Sequence, residues 1–515
     1  MRWLCLLGLA LVLGGCAAPK PSPPPRVAQP PQQAMAPQPE GAFVDLEAKV
    51  RSAHGAEASG FMLLDSNADG LRWRLALLDS ARHSIDLQYY TWFGDVSGRL
   101  LLRRMVDAAD RGVKVRLLID DLNTLLRDAS TPQIRDGLVA AIDAHPNIQV
   151  RLFNPWTRRD LFGRAGEMVA DLERLNQRMH NKQLVVDNRA AIIGGRNIGD
   201  EYLGLNPAFN FRDLDVLGIG PVARQASAVF DSFWNSEWVL PVLALHVPLS
   251  EIESQPRRKQ LIAELAAEPT LAGWPIAPQS WSAEIAALGP RLHAGTSRVV
   301  SDQPEDGVIR HTMLEHAREF ADSAQRELLV ENAYIIPAQP NIDWLRSLTQ
   351  RGVRVGIVTN SLASHDVPAV NSHYKKWRKP MIEAGVALYE IRHDAAVQRE
   401  LADTAPVRSE FMGLHVKAIA VDGERVMIGS MNLDPRSSAI NSEMAVLVDS
   451  QGLAADVAAL IRRDMQPQNS WRVEFDAQGE LRWVNSEQTV TQQPARNGWQ
   501  RVEDIIFMAF PRDYY

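Results

Sequence analysis

The chain has 515 residues, of which 46% are hydrophobic and 23% are charged, an ordinary composition for a globular protein. This length predicts at least two domains, each large enough to bury its own core. The 55 basic and 62 acidic residues give a formal net charge of −7. That balance disfavours general nucleic-acid binding, although a local basic groove stays possible.

The first sixteen residues, MRWLCLLGLALVLGGC, have the pattern of a secretory signal and contain both cysteines of the chain. Arg2 precedes an apolar run that is too short to span a bilayer as a mature helix. The end of the run, residues 13–16, resembles the bacterial lipobox, which implies cleavage before Cys16 and lipidation of that residue. The alternative is a simple secretory signal that happens to contain a cysteine. A chain cut before Cys16 keeps one cysteine, so no disulfide framework is expected.

Residues 17–43 are rich in proline, glutamine and alanine. Such a composition cannot bury a core and favours extended, polyproline-like conformations. We therefore expect a flexible tether between a lipid anchor and the folded body. This arrangement favours the lipoprotein interpretation and predicts a protein of the cell envelope that faces the periplasm, on either the outer or the inner membrane.

The folded body begins near Phe43. Residues 82–93 are rich in β-branched and aromatic residues and predict a strand, and residues 97–112 have the apolar spacing of a helix that ends at a glycine. Two more strands are predicted at residues 113–120 and 147–154. The order strand, helix, strand indicates an α/β layer with parallel pairing.

The same order recurs about 240 residues later. Residues 327–337 correspond to the first strand, residues 344–360 to the helix and the second strand, and residues 385–391 to the third strand. Two generic units that look alike by chance are the alternative to a duplication, but the matching RGVKV and RGVRV segments favour a long-period repeat. We predict a first domain at residues 44–270, a second at residues 271–470, and a C-terminal extension at residues 471–515.

One motif occurs in both halves with identical spacing, His-x-Lys-x4-Asp-x6-Gly-x2-Asn. It spans residues 180–197 and recurs 235 positions later at residues 415–432. Because a lysine among β-forming residues is rare unless it has a partner, two incidental hairpins are the weaker interpretation. The motif residues are His180, Lys182, Asp187, Gly194 and Asn197 in the first copy, and His415, Lys417, Asp422, Gly429 and Asn432 in the second.

Each copy offers an imidazole, an ammonium and an amide on one small surface, since alternate strand residues share a face. This set suits a phosphate group. Asp187 and Asp422 have the opposite parity and lie at a predicted hairpin turn, where they are better placed to fix the turn than to contact a substrate. An ammonium is not a metal ligand, and no cluster of acids accompanies the motif, so we expect neither a metal nor another cofactor.

The two copies form one site if the halves face each other about a pseudo-two-fold axis. One histidine then attacks phosphorus while the other protonates the leaving oxygen. A histidine in this role usually needs a carboxylate on its other nitrogen. Asp213 and Glu443 occupy comparable places before apolar runs and are assigned that orienting role, the alternative being ordinary carboxylates at strand edges.

These residues resemble the twin HKD motifs of the phospholipase D superfamily and, within it, the bacterial cardiolipin synthases. The resemblance extends from about Phe61 to the C-terminus. It implies an α/β fold of two similar α-β-α sandwich domains with the active site at their interface, and a metal-independent reaction through a phosphohistidine. By this resemblance His180 is the nucleophile, His415 is the general acid, and the HKD residues of both motifs form the catalytic set. The phosphate is bound by residues that the family motif supplies, namely Lys182, Lys417, Asn197, Asn432 and Ser430.

The first motif has Gly195 where the second has Ser430, so we expect the two half-sites to bind phosphate unequally. A cardiolipin synthase moves a phosphatidyl group onto the glycerol of phosphatidylglycerol. The resemblance therefore implies phospholipid substrates, with phosphatidylethanolamine as a candidate beside phosphatidylglycerol, and a membrane surface as a partner. We expect a monomer and no nucleic-acid partner. The alternatives are a phospholipase D that uses water, a nuclease of the same superfamily, which the net charge disfavours, and a non-catalytic envelope lipoprotein.

Two stretches fit a lipid surface. Residues 374–379, YKKWRK, mix four cations with two aromatic residues, as interfacial segments do, although a solvated helix face would show the same pattern. Residues 499–515 place Trp499, Val502, Ile506 and Phe510 on one predicted helical face. That face either lies in a membrane interface or docks on the body.

Overall fold

The structure is a computed structural model that describes residues 29–121, 142–157, 161–245, 262–305 and 307–509. The predicted signal with Cys16, the first part of the tether and Phe510 lie outside these residues. Within them the chain forms a mixed α/β architecture, as the sequence predicts.

The first half contains a mixed sheet in the order β1-β8-β6-β5-β2-β3-β4-β9. The central strands β2, β3 and β4 are parallel, and the other pairs are antiparallel. Its parallel strands are those predicted from the aromatic and β-branched runs. The strands of this half are β1 (Ser59–Leu64), β2 (Ser84–Tyr89), β3 (Lys114–Asp120), β4 (Ile148–Phe153), β5 (Gln183–Val186), β6 (Ala190–Gly194), β7 (Phe209–Arg212), β8 (Asp215–Ile219) and β9 (Val239–Pro241).

The second half repeats this topology in the order β10-β19-β18-β17-β13-β14-β15-β20, and β21 and β22 extend its edge. Strands β13, β14 and β15 are again parallel. The duplication seen in the sequence is therefore a duplication of strand order. These strands are β10 (His293–Ser301), β11 (Gln303–Glu305), β12 (Val308–Arg310), β13 (Glu327–Asn332), β14 (Arg354–Asn360), β15 (Ala387–Ile391), β16 (Phe411–Leu414), β17 (Lys417–Val421), β18 (Arg425–Gly429), β19 (Met444–Asp449), β20 (Ser470–Phe475), β21 (Leu481–Val484) and β22 (Thr489–Val490).

The two sheets meet through equivalent edge strands. β1 pairs with β10 in antiparallel orientation, which is the arrangement a two-fold relation between equivalent strands requires. A separate parallel pair, β7 with β16, also crosses between the halves. A buried apolar cluster contains residues from both sheets, including Val185 and Val446, so the halves share a core.

Helices cover the sheets, and amphipathic spacing explains most of them. For example, the helix at residues 96–110 buries Leu100, Leu101 and Met105. Asp95 caps its N-terminus, because the Asp95 side chain accepts a hydrogen bond from the Gly98 amide. The helices that lie wholly within the described ranges are α1 (Val44–His54), α2 (Asn67–Ser80), α3 (Val96–Asp110), α4 (Leu161–Ala170), α5 (Leu172–Asn176), α6 (Pro221–Trp234), α7 (Ser282–Ala286), α8 (Met313–Asp322), α9 (Gln339–Gln350), α10 (Pro368–Tyr374), α11 (Arg378–Glu383), α12 (Pro435–Ala439), α13 (Gln451–Asp464) and α14 (Gly498–Ile506).

Both ends of the body differ from simple linkers. The tether is not a free spacer over its described part, because the Ala34 amide donates to Asp231 and the Met35 carbonyl accepts from Asn188 of the first half. A flexible spacer stays a prediction for residues 17–28.

At the other end, the predicted domain boundary at residue 470 coincides with the start of β20, so the extension begins as part of the second sheet. No helix of the described residues combines the length and apolar character needed to cross a membrane.

The YKKWRK segment is mostly used inside the protein. Tyr374 and Arg378 are buried and both donate to Glu390. Lys375 binds the carboxylate of Asp504 in the C-terminal extension. The contacts therefore favour a structural role for most of this segment over a lipid-facing one.

Candidate active site

Each motif histidine pairs with the acid of the opposite half. Nδ1 of His180 lies 2.8 Å from Oε2 of Glu443, and Nδ1 of His415 lies 2.6 Å from Oδ2 of Asp213. All four side chains are buried. The two half-sites therefore form one site between the halves, and each histidine keeps Nε2 for chemistry because its other ring nitrogen is engaged.

The crossed pairing has a backbone cause. Met179, which precedes His180, forms a parallel bridge to Ser442, which precedes Glu443. In the other half Leu414 pairs with Arg212 in the same way at the end of the β7–β16 ladder. The histidine amides extend these bridges, since His180 N donates to the Ser442 carbonyl at 2.8 Å and His415 N to the Arg212 carbonyl at 2.7 Å.

The two lysines lie beside their own histidines. Lys182 Nζ donates to the His180 carbonyl at 2.6 Å, and Lys417 Nζ donates to the His415 carbonyl. Each ammonium has two further hydrogens, and each also lies near an aromatic ring, 5.3 Å from the Tyr90 centroid for Lys182 and 5.8 Å from the Tyr334 centroid for Lys417. An ammonium held this way in a buried site is suited to bind an anionic oxygen.

Burial sets the charge of the site. It lowers the pKa of Lys182 to about 7 and that of Lys417 to about 8, against the opposing effect of Glu443 on Lys182 and of Asp213 on Lys417. Burial and the neighbouring ammonium groups also lower the pKa of His415 to about 3 and that of His180 well below its usual value. Both imidazoles are therefore neutral at neutral pH.

The two acids differ in their protonation. Burial raises the pKa of Glu443 to about 8, although Lys182 and the Ser430 hydroxyl oppose this shift. At Asp213 burial acts in the same direction, but His415 and Lys417 outweigh it, and the pKa falls below its ordinary value. Asp213 is thus an ionised carboxylate at neutral pH, while Glu443 holds a proton more readily.

The asparagines and the serine of the motifs have separate environments. Asn197 Oδ1 accepts from the Thr91 amide at 3.2 Å, whereas Asn432 Oδ1 is buried with no hydrogen-bond partner in the described part of the chain. Ser430 donates its hydroxyl to Glu443 and accepts from the Met444 amide. The serine hydroxyl is therefore engaged by Glu443, and its expected place among the phosphate ligands stays a prediction.

Gly195, the counterpart of Ser430, leaves space for Asp213. A Cβ at position 195 would lie 2.2 Å from Oδ1 of Asp213, far inside van der Waals contact. The missing hydroxyl of the first motif is thus explained by a close approach of the acid that serves His415.

Asp187 and Asp422 lie at the turns after β5 and β17, at the opposite end of each strand from the histidine. Both residues have positive φ, 51° and 57°, as the hairpin turn requires. Each carboxylate accepts hydrogen bonds from three successive backbone amides that lead into β2 or β13. Both carboxylates therefore fix the hairpins to the neighbouring strands, at the far end of β5 and β17 from the histidines, as their strand parity predicts. A direct catalytic role for Asp187 and Asp422 stays a prediction.

Aromatic residues that the sequence analysis did not single out surround the histidines. Tyr90 contacts His180 edge-on with ring centroids 4.8 Å apart. Phe211 and Tyr202 lie 4.9 and 5.2 Å from His415, and Tyr334 lies 6.4 Å from it. Tyr90 and Tyr334 follow the equivalent parallel strands β2 and β13. Because binding sites in such sheets lie at the carboxyl ends of the strands, this position in the sequence could have predicted that both tyrosines lie at the site.

The donor set around the histidines contains lysine and amide groups. Across the described ranges, no group of three or more histidine, cysteine, aspartate and glutamate side chains is arranged to hold a metal ion. The two lysines and the neighbouring hydrogen-bond donors are the groups in this site that can stabilise a negative charge.

The chain is similar to known proteins in family, sequence and fold. The family described as "Cardiolipin synthase, PLD-like domain" matches residues 75–234 and 318–465, one segment in each half. Cardiolipin synthase C of Escherichia coli (strain K12) is 33% identical over 464 residues, which cover 86% of this chain and 93% of the relative. Cardiolipin synthase B of Shigella flexneri is 24% identical over 405 residues and covers 76% of this chain and 80% of its own length.

Among solved structures, a phosphatidylserine synthase of Haemophilus influenzae Rd KW20 superimposes with a TM-score of 0.53 at 15% identity. The match covers 82% of this chain and 90% of that one, which supports the fold. The resemblance to the phospholipase D superfamily, and within it to cardiolipin synthase C, is thereby confirmed. With both segments of the family matched and a relative at 33% identity over most of its length, the chain belongs to the cardiolipin synthase family of phospholipase-D-like enzymes.

Proposed function

We propose that the protein transfers a phosphatidyl group through a phosphohistidine on His180 to phosphatidylglycerol and so makes cardiolipin. The observation that carries this proposal is the pair of crossed histidine–carboxylate contacts, His180 with Glu443 and His415 with Asp213. It places two imidazoles in one site with the Nδ1 atom of each held by an acid, so that Nε2 is the atom left to act in a two-step displacement at phosphorus.

In the first step, Nε2 of His180 attacks the phosphorus of the donor phospholipid. A P–N bond forms and the P–O bond to the headgroup alcohol breaks. His415, which is protonated on both ring nitrogens while the anionic phosphodiester is bound, gives its Nε2 proton to the departing oxygen. In the second step, the terminal hydroxyl of phosphatidylglycerol attacks the same phosphorus, His415 takes the hydroxyl proton, and the P–N bond breaks. The second step regenerates both histidines, so one site performs two displacements.

The difference between the acids supports this assignment of roles. The ionised Asp213 stabilises a proton on His415, which suits a general acid. Glu443, whose pKa burial raises to about 8, gives His180 less negative charge and leaves it a neutral nucleophile. The anionic phosphodiester itself favours protonation of His415, because an opposite charge raises the pKa of an imidazole. Lys182, Lys417, Asn197 and Asn432 stabilise the charge on the phosphoryl oxygens.

The test is turnover by purified protein on phosphatidylglycerol vesicles, with and without phosphatidylethanolamine, in buffer that contains EDTA. We expect cardiolipin, its loss in His180→Ala, and an unchanged rate in His54→Ala, a control in which an exposed histidine at the end of α1 is removed. Phosphatidic acid as the sole product would instead establish a phospholipase with water as the acceptor. Loss of activity in EDTA would point to a metal and contradict the two-histidine scheme.

We also propose that the mature chain begins at a lipidated Cys16 and is held on the periplasmic side of a cell-envelope membrane. The lipobox-like end of the signal and the proline-rich residues that follow it support this location. Intact mass measurement of the purified protein tests it, with an acylated N-terminal cysteine expected and an unmodified N-terminus as the contradicting result. Cys16→Ser is the matched variant and should lose the acyl mass.

A further inference from the structure

The helix α14 is oriented with its polar face toward the protein and its apolar face toward solvent. Five of the ten large hydrophobic side chains exposed in the described residues lie between positions 499 and 508. Single exposed hydrophobic residues are ordinary, but a cluster of this kind marks an interaction surface. The cluster, here called the α14 face, consists of Trp499, Val502, Ile505, Ile506 and Met508, which are between 42% and 62% exposed.

Polar contacts hold the buried side of α14. Asp504 is 2% exposed and accepts hydrogen bonds from Asn371 at 2.6 Å, from Lys375 at 2.7 Å and from Gln493 at 2.9 Å. Gln500, one turn earlier on the same side, accepts from the Arg496 amide at 2.7 Å. Because an ion pair with Lys375 and two amides fix Asp504, the helix cannot turn its apolar side inward without breaking them.

The extension leading into α14 adjoins the His415 half of the active site. Arg496 lies 3.8 Å over the ring of Phe411 and donates to the Ala363 carbonyl. Phe411 is the first residue of β16, the strand that leads directly to His415. The α10 helix, on which α14 docks, begins shortly after His365, whose ring stacks on Tyr334 at 5.4 Å.

The chemistry of the α14 face fits the interface of a phospholipid bilayer. Aliphatic residues with a tryptophan on one side of a short helix are typical of segments that lie in the plane of a membrane surface. Arg501 on the same helix and the exposed Lys376 beside Lys375 add positive charge for lipid phosphates. Of the two acids of α14, Asp504 is buried and paired with Lys375, which leaves Glu503 as the acid opposing them. Five half-exposed side chains present roughly 500 Å² of apolar surface, which is less than the roughly 800 Å² per partner of a stable protein dimer.

We propose that the α14 face inserts into the interface of a phospholipid bilayer and keeps the adjoining His415 half-site at the lipid surface. This membrane contact is additional to the lipid anchor at Cys16. The inference rests on the proposed function only in taking phospholipids as the substrate, and membrane insertion is measured without turnover.

The binding experiment uses the full chain with His180→Ala, so that no lipid is consumed. Ile505→Cys introduces a thiol on the α14 face for a polarity-sensitive fluorophore, and Val308→Cys is the matched control, an equally exposed apolar position on β12. With vesicles of phosphatidylglycerol and phosphatidylethanolamine, we expect a blue shift and quenching by brominated lipid at position 505 and neither at position 308. No shift at 505, or equal shifts at both positions, overturns the proposal. A shift that needs high protein concentration and no lipid overturns it in favour of a second copy of the chain.

A turnover experiment checks the consequence for catalysis. Ile505→Asp should lower the ratio of activity on vesicles to activity on monomeric short-chain phosphatidylglycerol by roughly tenfold, because the charge opposes insertion. Val308→Asp should leave the ratio unchanged, and an unchanged ratio in Ile505→Asp contradicts the inference. If the wild-type chain acts on neither substrate, the proposed function fails while the fluorescence result still decides the membrane contact.

Discussion

The half-site of His180 and the half-site of His415 use the same backbone bridges but different acids. His180 contacts Glu443, which also accepts the hydroxyl of Ser430, whereas His415 contacts Asp213, which packs against Gly195. Burial raises the pKa of Glu443, and the charges around Asp213 lower its pKa. The two copies of the motif are thus served by carboxylates whose pKa values shift in opposite directions, which suits the proposed roles of one histidine as nucleophile and the other as general acid.

The largest effects should separate the two histidines. His180→Ala removes the proposed nucleophile, and we expect activity to fall by roughly 10⁴-fold or more. His415→Ala removes the proposed general acid, with an expected loss of roughly 10²- to 10⁴-fold. The measurement is turnover of the natural phospholipid beside a phosphatidyl ester with a p-nitrophenol leaving group, which departs without a proton. The ester should restore much of the rate in His415→Ala and none in His180→Ala, and the reverse pattern would exchange the two roles.

Substitution of Asp213 or Glu443 should affect the reaction in the same way as substitution of the histidine that the acid contacts. Asp213→Asn removes the charge that supports a proton on His415, and Glu443→Gln changes the partner of the nucleophile His180. Each should lose roughly 10²- to 10⁴-fold, by analogy with the loss of an orienting carboxylate in other histidine-dependent sites. The p-nitrophenol ester should rescue Asp213→Asn alone, which a general loss of folding would not produce. Rescue of Glu443→Gln instead would mean that each acid serves the histidine of its own half.

Much of this arrangement follows from local sequence patterns, and the crossing does not. The parallel strands, the hairpin turn at Asp187 and the five shared motif residues depend on neighbours in the chain. The acid that each histidine contacts depends on the backbone bonds that Ser442 and Arg212 form with the opposite half. Such long-range contacts cannot be predicted from the spacing of neighbouring residues. The apolar spacing around Ile505 likewise predicts an amphipathic helix, but the polar contacts of Asp504 decide which side faces the protein.

Gly195→Ser tests whether the first motif needs a glycine to leave space for Asp213 or lacks a hydroxyl that would bind phosphate. A side chain at position 195 would displace Asp213 from His415, so we expect a loss of roughly 10²-fold, the size of effect that a displacement of about 1 Å can cause at an active site. The comparison variant is Gly199→Ser at a neighbouring loop, where the nearest atoms belong to Phe93 and lie outside the histidine pairs. Increased activity in Gly195→Ser would show that the first motif lacks a useful phosphate donor.

The pH dependence of kcat/KM should report the two lysines. With pKa values of about 7 for Lys182 and about 8 for Lys417, both ammonium groups are charged below these values and lose their protons as pH rises. Phosphate binding then weakens, so kcat/KM should fall between about pH 7 and pH 9. Glu443, with a pKa of about 8, ionises over the same range, and its negative charge would strengthen its hydrogen bond with His180. A rate that rises through this range would mean that Glu443, and not the lysines, controls the basic side of the profile.

The smallest effect should come from Ser430→Ala, which removes a hydroxyl from the Glu443 side of the site. The substitution leaves the Met444 amide and the Glu443 carboxylate each short of one hydrogen bond, and a buried bond to such a group is worth ~1–3 kcal/mol. We expect kcat to fall by roughly tenfold at unchanged KM, because the Ser430 hydroxyl is bonded to Glu443 and acts through that acid. Ser438→Ala, which removes a hydroxyl bonded to the Pro435 carbonyl, is the matched control and should retain the wild-type rate. A rise in KM at unchanged kcat would return Ser430 to the phosphate ligands, and the difference between the half-sites would then be one of substrate binding rather than of acid placement.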